Sequence, residues 1–284
     1  SSPELQAQLD SLRAARNQVQ ANLDESLHGT REETLRALQA SLFQAQAEQP
    51  AFARWVERNV RPHRVPGYAA VTLSLKKPGT APGDVSDVQM DRVADLADRY
   101  SFGEVRVTHE QNLVFADVRK DDLHALWIEL KALGFATPNI GLLTNIISCP
   151  GGDFCSLANA RSIPVAQAIQ ERFDDLDYLF DIGTLDLNIS GCMNACGHHH
   201  VGHIGILGVD RKGVENYQIL LGGSGAEDAA LGEILGPGFD QQGIVDAVEN
   251  VIGTYTTLRE KGERFLDTVR RVGAHPFKER LYAR

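Results

Sequence analysis

The sequence predicts an α+β chain: a helical amino-terminal segment, then a half-domain of alternating strands and helices, then a mixed α/β domain. Three observations carry that expectation. Two capping boxes open helices in the first third of the chain, and apolar alternation marks short strands between turn-rich loops. From Ile140 onward the composition shifts toward Gly, Cys, Asn and His. At 284 residues, 43% hydrophobic and 23% charged, the chain is large enough to bury more than one core. The expected division is 1–61, 62–139 and 140–284.

The first element is helical because Thr30 and Glu33 form a capping box, with Leu35, Leu38, Leu42 and Phe43 following at helical spacing. Helix is expected from residue 4 to about 60, where Pro62 and Pro66 break the pattern. Residues Gly67 to Leu75 then alternate as a half-buried strand does. After a loop rich in Pro and Gly, Ser86 and Gln89 form the second capping box, with Val88, Val93, Leu96 and Ala97 read as one apolar stripe. Short strands near Glu104–Thr108 and Leu113–Val118 precede a helix over about Leu123–Leu133. Strand, helix, strand, strand, helix is most of a ferredoxin-like unit, and by itself it names no chemistry.

The last domain reads as a loop from Cys149 to Phe154, a helix over about Leu157–Phe173 and a strand at Leu185–Ser190. Strands at Ile204–Val209 and Tyr217–Leu221 follow, then a closing helix on which Ile244, Val248, Val251 and Tyr255 share a face.

The 38 acidic residues exceed the 28 basic ones for a formal charge of −10, which argues against a nucleic-acid stripe, a basic membrane patch or polyphosphate partners. No apolar run is long enough to span a bilayer. The first residues carry neither a basic nor an apolar export signal, so the chain is read as cytoplasmic.

The chemistry is concentrated in four cysteines, paired as Cys149-x5-Cys155 and Cys192-x3-Cys196. Paired thiols in Gly-rich loops of a cytosolic chain point to metal or redox work ahead of structural disulfides or inert buried thiols. The five-residue gap is wide for a zinc knuckle and suits a four-thiolate iron–sulfur cube better, with zinc as the runner-up. A c-type haem is excluded, because three residues separate Cys192 from Cys196 and Gly197 precedes His198. Gly151, Gly152, Gly191 and Gly197 either turn the chain or let it wrap a cluster and present N–H groups to sulfur.

These residues resemble the assimilatory sulfite and nitrite reductases that hold siroheme beside a [4Fe–4S] cluster. All four cysteines match that family's signature. Ser190-Gly191-Cys192-Met193-Asn194-Ala195-Cys196-Gly197 resembles its second cysteine loop, and Leu220-Leu221-Gly222-Gly223 the strand end that follows. Pro66 to Lys76, with Gln111-Asn112-Leu113, resembles the half-domain before the cluster domain. The resemblance covers about residues 62–284. It implies that Cys149, Cys155, Cys192 and Cys196 bind the cluster, and that Cys196 carries the catalytic role by also ligating the siroheme iron. Asn194, Gly222 and Gly223 fall where the family contacts its cofactors, although Asn194 also suits a simple loop-closing turn.

The implied activity is six-electron reduction of sulfite to sulfide or nitrite to ammonia, with a ferredoxin or flavoprotein as electron donor. An electron carrier holding the cluster without siroheme is the alternative. A related tetrapyrrole-modifying oxygenase shares similar cysteine motifs. Siroheme is a polycarboxylate and its substrate an anion, yet residues 140–160 and 190–210 contain no Lys or Arg. Arg161, Arg211 and Lys212 are the nearest. The resemblance therefore implies the carboxy-terminal half of a longer reductase, its cations supplied by an amino-terminal half.

His198, His199 and His200, with His203, crowd the segment after the last cysteine. They are read either as a polar rim, as binders or proton donors for siroheme carboxylates, or as a separate metal site. Gly222, Gly223 and Gly225 do not complete a dinucleotide fingerprint, since Asp228 stands at its last position. The sequon at Asn188 falls in an expected buried strand and carries no weight.

Overall fold

The computed structural model describes residues 13–14, 16–22, 32–37, 39–40 and 50–283. The expected capping Thr30, together with Leu38, Leu42 and Phe43, lies outside the described residues. Those described between 13 and 40 are helical.

The first unit is built on an antiparallel sheet. Helix α1 (Pro50–Asn59) runs into strand β1 (Val60–Pro62), followed by β2 (Tyr68–Leu73), helix α2 (Asp87–Tyr100), β3 (Arg106–Val107), β4 (Leu113–Arg119) and α3 (Leu123–Leu133). The strand order is β1-β2-β4-β3, and β2 alternates buried and half-buried as the sequence alternates. Helix α2 starts where the sequence says: the Ser86 hydroxyl accepts from the Gln89 amide at 3.2 Å and the Gln89 side chain accepts from the Ser86 amide at 3.0 Å. Its buried face is Val93, Leu96 and Ala97. Val88 does not belong to that stripe and stands 67% exposed, because it sits in the first turn, before the helix meets the sheet. The core between sheet and helices holds Phe52, Trp55, Val71, Phe115, Leu126 and Trp127.

The second unit has a mixed sheet of order β5-β6-β7-β8-β9: β5 (Ile147–Ser148), β6 (Leu187–Ser190), β7 (Ile204–Arg211), β8 (Val214–Leu221) and β9 (Glu233–Ile234). The first three strands are parallel and the remainder antiparallel. Strand β6 is buried at all four residues, as a parallel strand covered on both faces should be.

Helices α4 (Ile163–Arg172) and α5 (Leu176–Ile182) precede β6, and α6 (Gln241–Leu258), α7 (Phe265–Val272) and α8 (His275–Tyr282) close the chain. Ile244, Val248, Val251 and Tyr255 of α6 are all buried, as the spacing predicts. The helix expected from Leu157 begins only at Ile163, because the Asn159 and Ala160 amides are taken by the Gly191 carbonyl at 2.9 and 3.0 Å. No helix among the described residues is long and apolar enough to cross a membrane.

A buried polar seam joins the units. Asn112 accepts from the Leu75 amide at 3.0 Å and donates to Asn145 at 3.0 Å, while Asn139 donates to the Lys76 carbonyl at 3.2 Å. Such groups are retained inside only when paired, and each end of this seam lies in a different unit.

Candidate functional site

Parallel strands β5 and β6 end side by side, and each runs directly into a cysteine loop at its carboxyl end, where open α/β sheets place ligands. Cys149 follows β5 and donates its amide to the Ile189 carbonyl at 3.1 Å. Cys192 follows β6 after Gly191, whose amide points at the Cys149 sulfur at 3.1 Å. One N–H···S contact therefore ties the loop of the first cysteine pair to the start of the second. The Cys149 sulfur also lies 3.5 Å from the Ser162 hydroxyl. Cys155 is tethered through its amide to the Gly151 carbonyl at 2.9 Å. All four thiols are free, so the disulfide reading finds no support in the fold. Cys149 and Cys192 are buried, Cys155 half-buried and Cys196 exposed.

Glycines set how closely these loops approach. A methyl at Gly191 would lie 2.5 Å from the Ala160 carbonyl oxygen and 2.8 Å from the Gly151 Cα, both in the loop carrying Cys149 and Cys155. Gly151 itself has φ +59° and no room for a side chain against Ser162. Gly197, beside Cys196, packs against the Ile189 carbonyl and donates its amide to the Ser190 hydroxyl at 3.1 Å. Ala195 and His198 sit in the left-handed region at φ +59° and +55°, coiling the segment around Cys196. Close backbone packing and an amide on one sulfur are features that suit thiolates binding a cluster. No three His, Cys, Asp or Glu side chains among the described residues converge as on one metal ion.

The histidines divide. His199 is fully buried, its ring 3.9 Å from that of His200, and neither ring nitrogen has a partner among the described residues. Burial, followed by the neighbouring His200, pushes its pKa down to about 4, so it is neutral near pH 7 and supplies no standing positive charge. His198 and His200 are exposed, and their carbonyls anchor the loop by accepting from Asn188 Nδ2 at 3.0 Å and the Gly232 amide at 2.8 Å. His203 is tied to the segment before β6: its Nδ1 accepts from the Asp186 amide at 3.1 Å.

Gly222 takes φ +86°, and a methyl at Gly223 would lie 2.6 Å from the His200 and Gly202 carbonyl oxygens, so both glycines seat the end of β8 against the histidine loop. Asn194 is exposed and makes no side-chain hydrogen bond among the described residues; Ala195-to-Cys192 and His198-to-Ala195 backbone bonds close the loop instead. Arg161 lies beside Gly152 but pairs with Glu215 at 3.2 Å. The contacts of Ser162, Ser190 and Asn188 are not readable from the sequence, because each joins separate segments of the chain.

The chain is similar to known proteins over most of its length. Residues 61–133 match the nitrite/sulfite reductase ferredoxin-like half domain, and residues 141–284 match the nitrite and sulphite reductase 4Fe-4S domain. A sulfite reductase [ferredoxin] 2 of Mycolicibacterium paratuberculosis is 32% identical over 213 residues, 70% of this chain and 38% of its own length. The chloroplastic ferredoxin–nitrite reductase of Betula pendula is 28% identical over 261 residues, 85% of this chain and 43% of its own. The solved structure of the Mycobacterium tuberculosis NirA protein superposes with a TM-score of 0.64 at 29% identity, covering 77% of this chain and 41% of that one. A dissimilatory sulfite reductase, at 14% identity and a TM-score of 0.58, shares the fold. The chain spans about two-fifths of the length of the curated relatives it matches.

Proposed function

The chain belongs to the nitrite and sulfite reductase family, and from that membership we propose that it forms the cluster-bearing part of a reductase acting on sulfite or nitrite. Cys149, Cys155, Cys192 and Cys196 hold the [4Fe–4S] cluster, and the exposed Cys196 faces outward to be shared with the siroheme iron. The observation that carries this reading is the Gly191 amide on the Cys149 sulfur, which brings both cysteine pairs to the ends of two adjacent strands.

When bound, the coupled pair of cofactors supplies electrons one after another to a six-electron reduction. The chain's own part is to hold the thiolates apart on rigid strand ends, to exclude water from Cys149 and Cys192, and to donate N–H groups to sulfur. The exposed His198 and His200, with the buried ring of His199 packed against His200, would form the side of the site toward the siroheme carboxylates, with Gly222 and Gly223 behind them. Neither cysteine loop contains Lys or Arg. The cations that neutralise siroheme and grip the substrate anion therefore come from a companion half, and a ferredoxin is the electron donor.

The test is anaerobic reconstitution of the purified chain with iron and sulfide, then with siroheme, with absorption spectra and iron and zinc measured on one sample. A broad iron–sulfur shoulder is expected, with Soret and red bands appearing when the companion half is added, and sulfite and nitrite reduction then distinguish the substrates. A shoulder that never gains haem bands identifies an electron carrier. Zinc without iron overturns the reading.

A further inference from the structure

Strand β5 is only two residues long and lies at the edge of its sheet, yet it must fix Cys149. One side of it pairs with β6. On its outer side, the Ser148 backbone is met by a side chain from the other unit. Gln111 Nε2 donates to the Ser148 carbonyl at 2.7 Å and Gln111 Oε1 accepts from the Ser148 amide at 3.0 Å, so one carboxamide pairs both groups that a further strand would have paired.

Gln111 is held for this task. Its backbone has φ +58°, an uncommon conformation for a residue with a side chain, and Gly83 leaves it space, since a methyl there would lie 2.9 Å from the Gln111 Cβ. Lys76 is fully buried, and its Nζ donates to Gln111 Oε1 at 3.1 Å. That contact fixes which way round the amide sits, because the flipped amide would set an N–H₂ group against the lysine nitrogen. Burial draws the Lys76 pKa down to about 7, with Glu110 opposing the shift. A neutral amine still donates, so the lock does not depend on the charge.

We propose that Lys76 and Gln111 are positioning residues for the cluster site: the Gln111 carboxamide, oriented by Lys76, clamps the Ser148 peptide and so fixes the Cys149 ligand. The ligand role rests on the cluster reading above, while the clamp stands on the geometry alone. Because the two residues belong to one unit and Ser148 to the other, cluster retention is coupled to how the units dock.

The test uses the full chain and the variants Gln111→Met, Lys76→Met and the double variant. In the metal-free protein, amide hydrogen exchange at Ser148 is expected to accelerate about tenfold in Gln111→Met and about threefold in Lys76→Met, with exchange on β8 unchanged. After anaerobic reconstitution, chelator-driven bleaching of the cluster should accelerate in the same order. The double variant should match Gln111→Met alone, because Lys76 acts only through Gln111. Unchanged Ser148 exchange in the folded variants, or effects of the two substitutions that multiply, overturns the clamp. Should Gln111→Met fail to fold, Lys76→Met reads the same two rates. A parent chain that takes up no iron overturns the cluster reading and the ligand role with it, while exchange still judges the clamp.

Discussion

Gly191→Ala is the sharpest probe of the cysteine locus. The new methyl would sit 2.5 Å from the Ala160 carbonyl oxygen and 2.8 Å from the Gly151 Cα, so backbone rather than a pliable side chain must retreat, by about 0.9 Å to reach ordinary contact. Three hydrogen bonds share that junction: the Gly191 amide on the Cys149 sulfur, and the Asn159 and Ala160 amides on the Gly191 carbonyl. Overpacking costs about 1–3 kcal/mol and loss of one such bond about 1 kcal/mol, so the second unit should lose about 2–4 kcal/mol.

The assay is urea denaturation of the metal-free, reduced chain followed by two signals. Both tryptophans, Trp55 and Trp127, lie in the core of the first unit, so their fluorescence is an internal control while far-UV dichroism reports both units. Gly253→Ala is the matched control: it lies within α6 with nothing within 4 Å of the added methyl, and should stabilise by about 1 kcal/mol. A Gly191→Ala chain whose dichroism transition keeps the parent midpoint would refute the claim that the loops meet at this distance.

Two further outcomes test each unit separately. Ser86→Ala removes the hydroxyl that caps α2 and should cost about 1 kcal/mol, seen in the tryptophan transition and absent from hydrogen exchange on β7 and β8. Glu263 is held down to about 2 chiefly by its hydrogen bond to Arg271, below the 4.5 of an ordinary glutamate, so its contribution is complete above pH 4.5 and disappears as pH falls toward 2. Glu263→Gln should therefore flatten the fall of melting temperature with acid across that window, and an unchanged slope would count against the pairing.

What was legible in the sequence was whatever a local pattern decides. The capping box at Ser86 and Gln89 fixed the start of α2, and the four-residue repeat of α6 fixed its buried face, because both depend on neighbours within one or two turns. The extent of α4 was overestimated because residues 157–160 have helical composition, but two of their amides are claimed by Gly191, more than thirty residues away. The short helices α5, α7 and α8 and the two-residue strands β5 and β9 carry too few residues for periodicity to register. The cysteines announced themselves by spacing, whereas Lys76, Gln111 and Ser148 meet only through the docking of two units.

His199 separates a packing role from a functional one. A buried ring with both nitrogens unpartnered forfeits hydrogen bonds that water would have supplied, at a cost of about 1–3 kcal/mol. An apolar ring of similar shape avoids that cost, so His199→Phe should make the metal-free chain more stable, by about 1 kcal/mol at pH 7. The advantage should grow with acid. The histidine is held neutral down to about pH 4, while the unfolded chain takes its proton near 6.5, so the parent loses stability as pH falls through that interval and the variant does not. Siroheme uptake by the reconstituted chain with its companion half should move the opposite way and fall. A gain in stability with a loss of cofactor is the signature of a residue kept for function at a cost in packing. If His199→Phe and the smaller His199→Leu both destabilise the metal-free chain and leave siroheme uptake intact, the ring is a packing element and the histidine face of the site must be reassigned to His198 and His200.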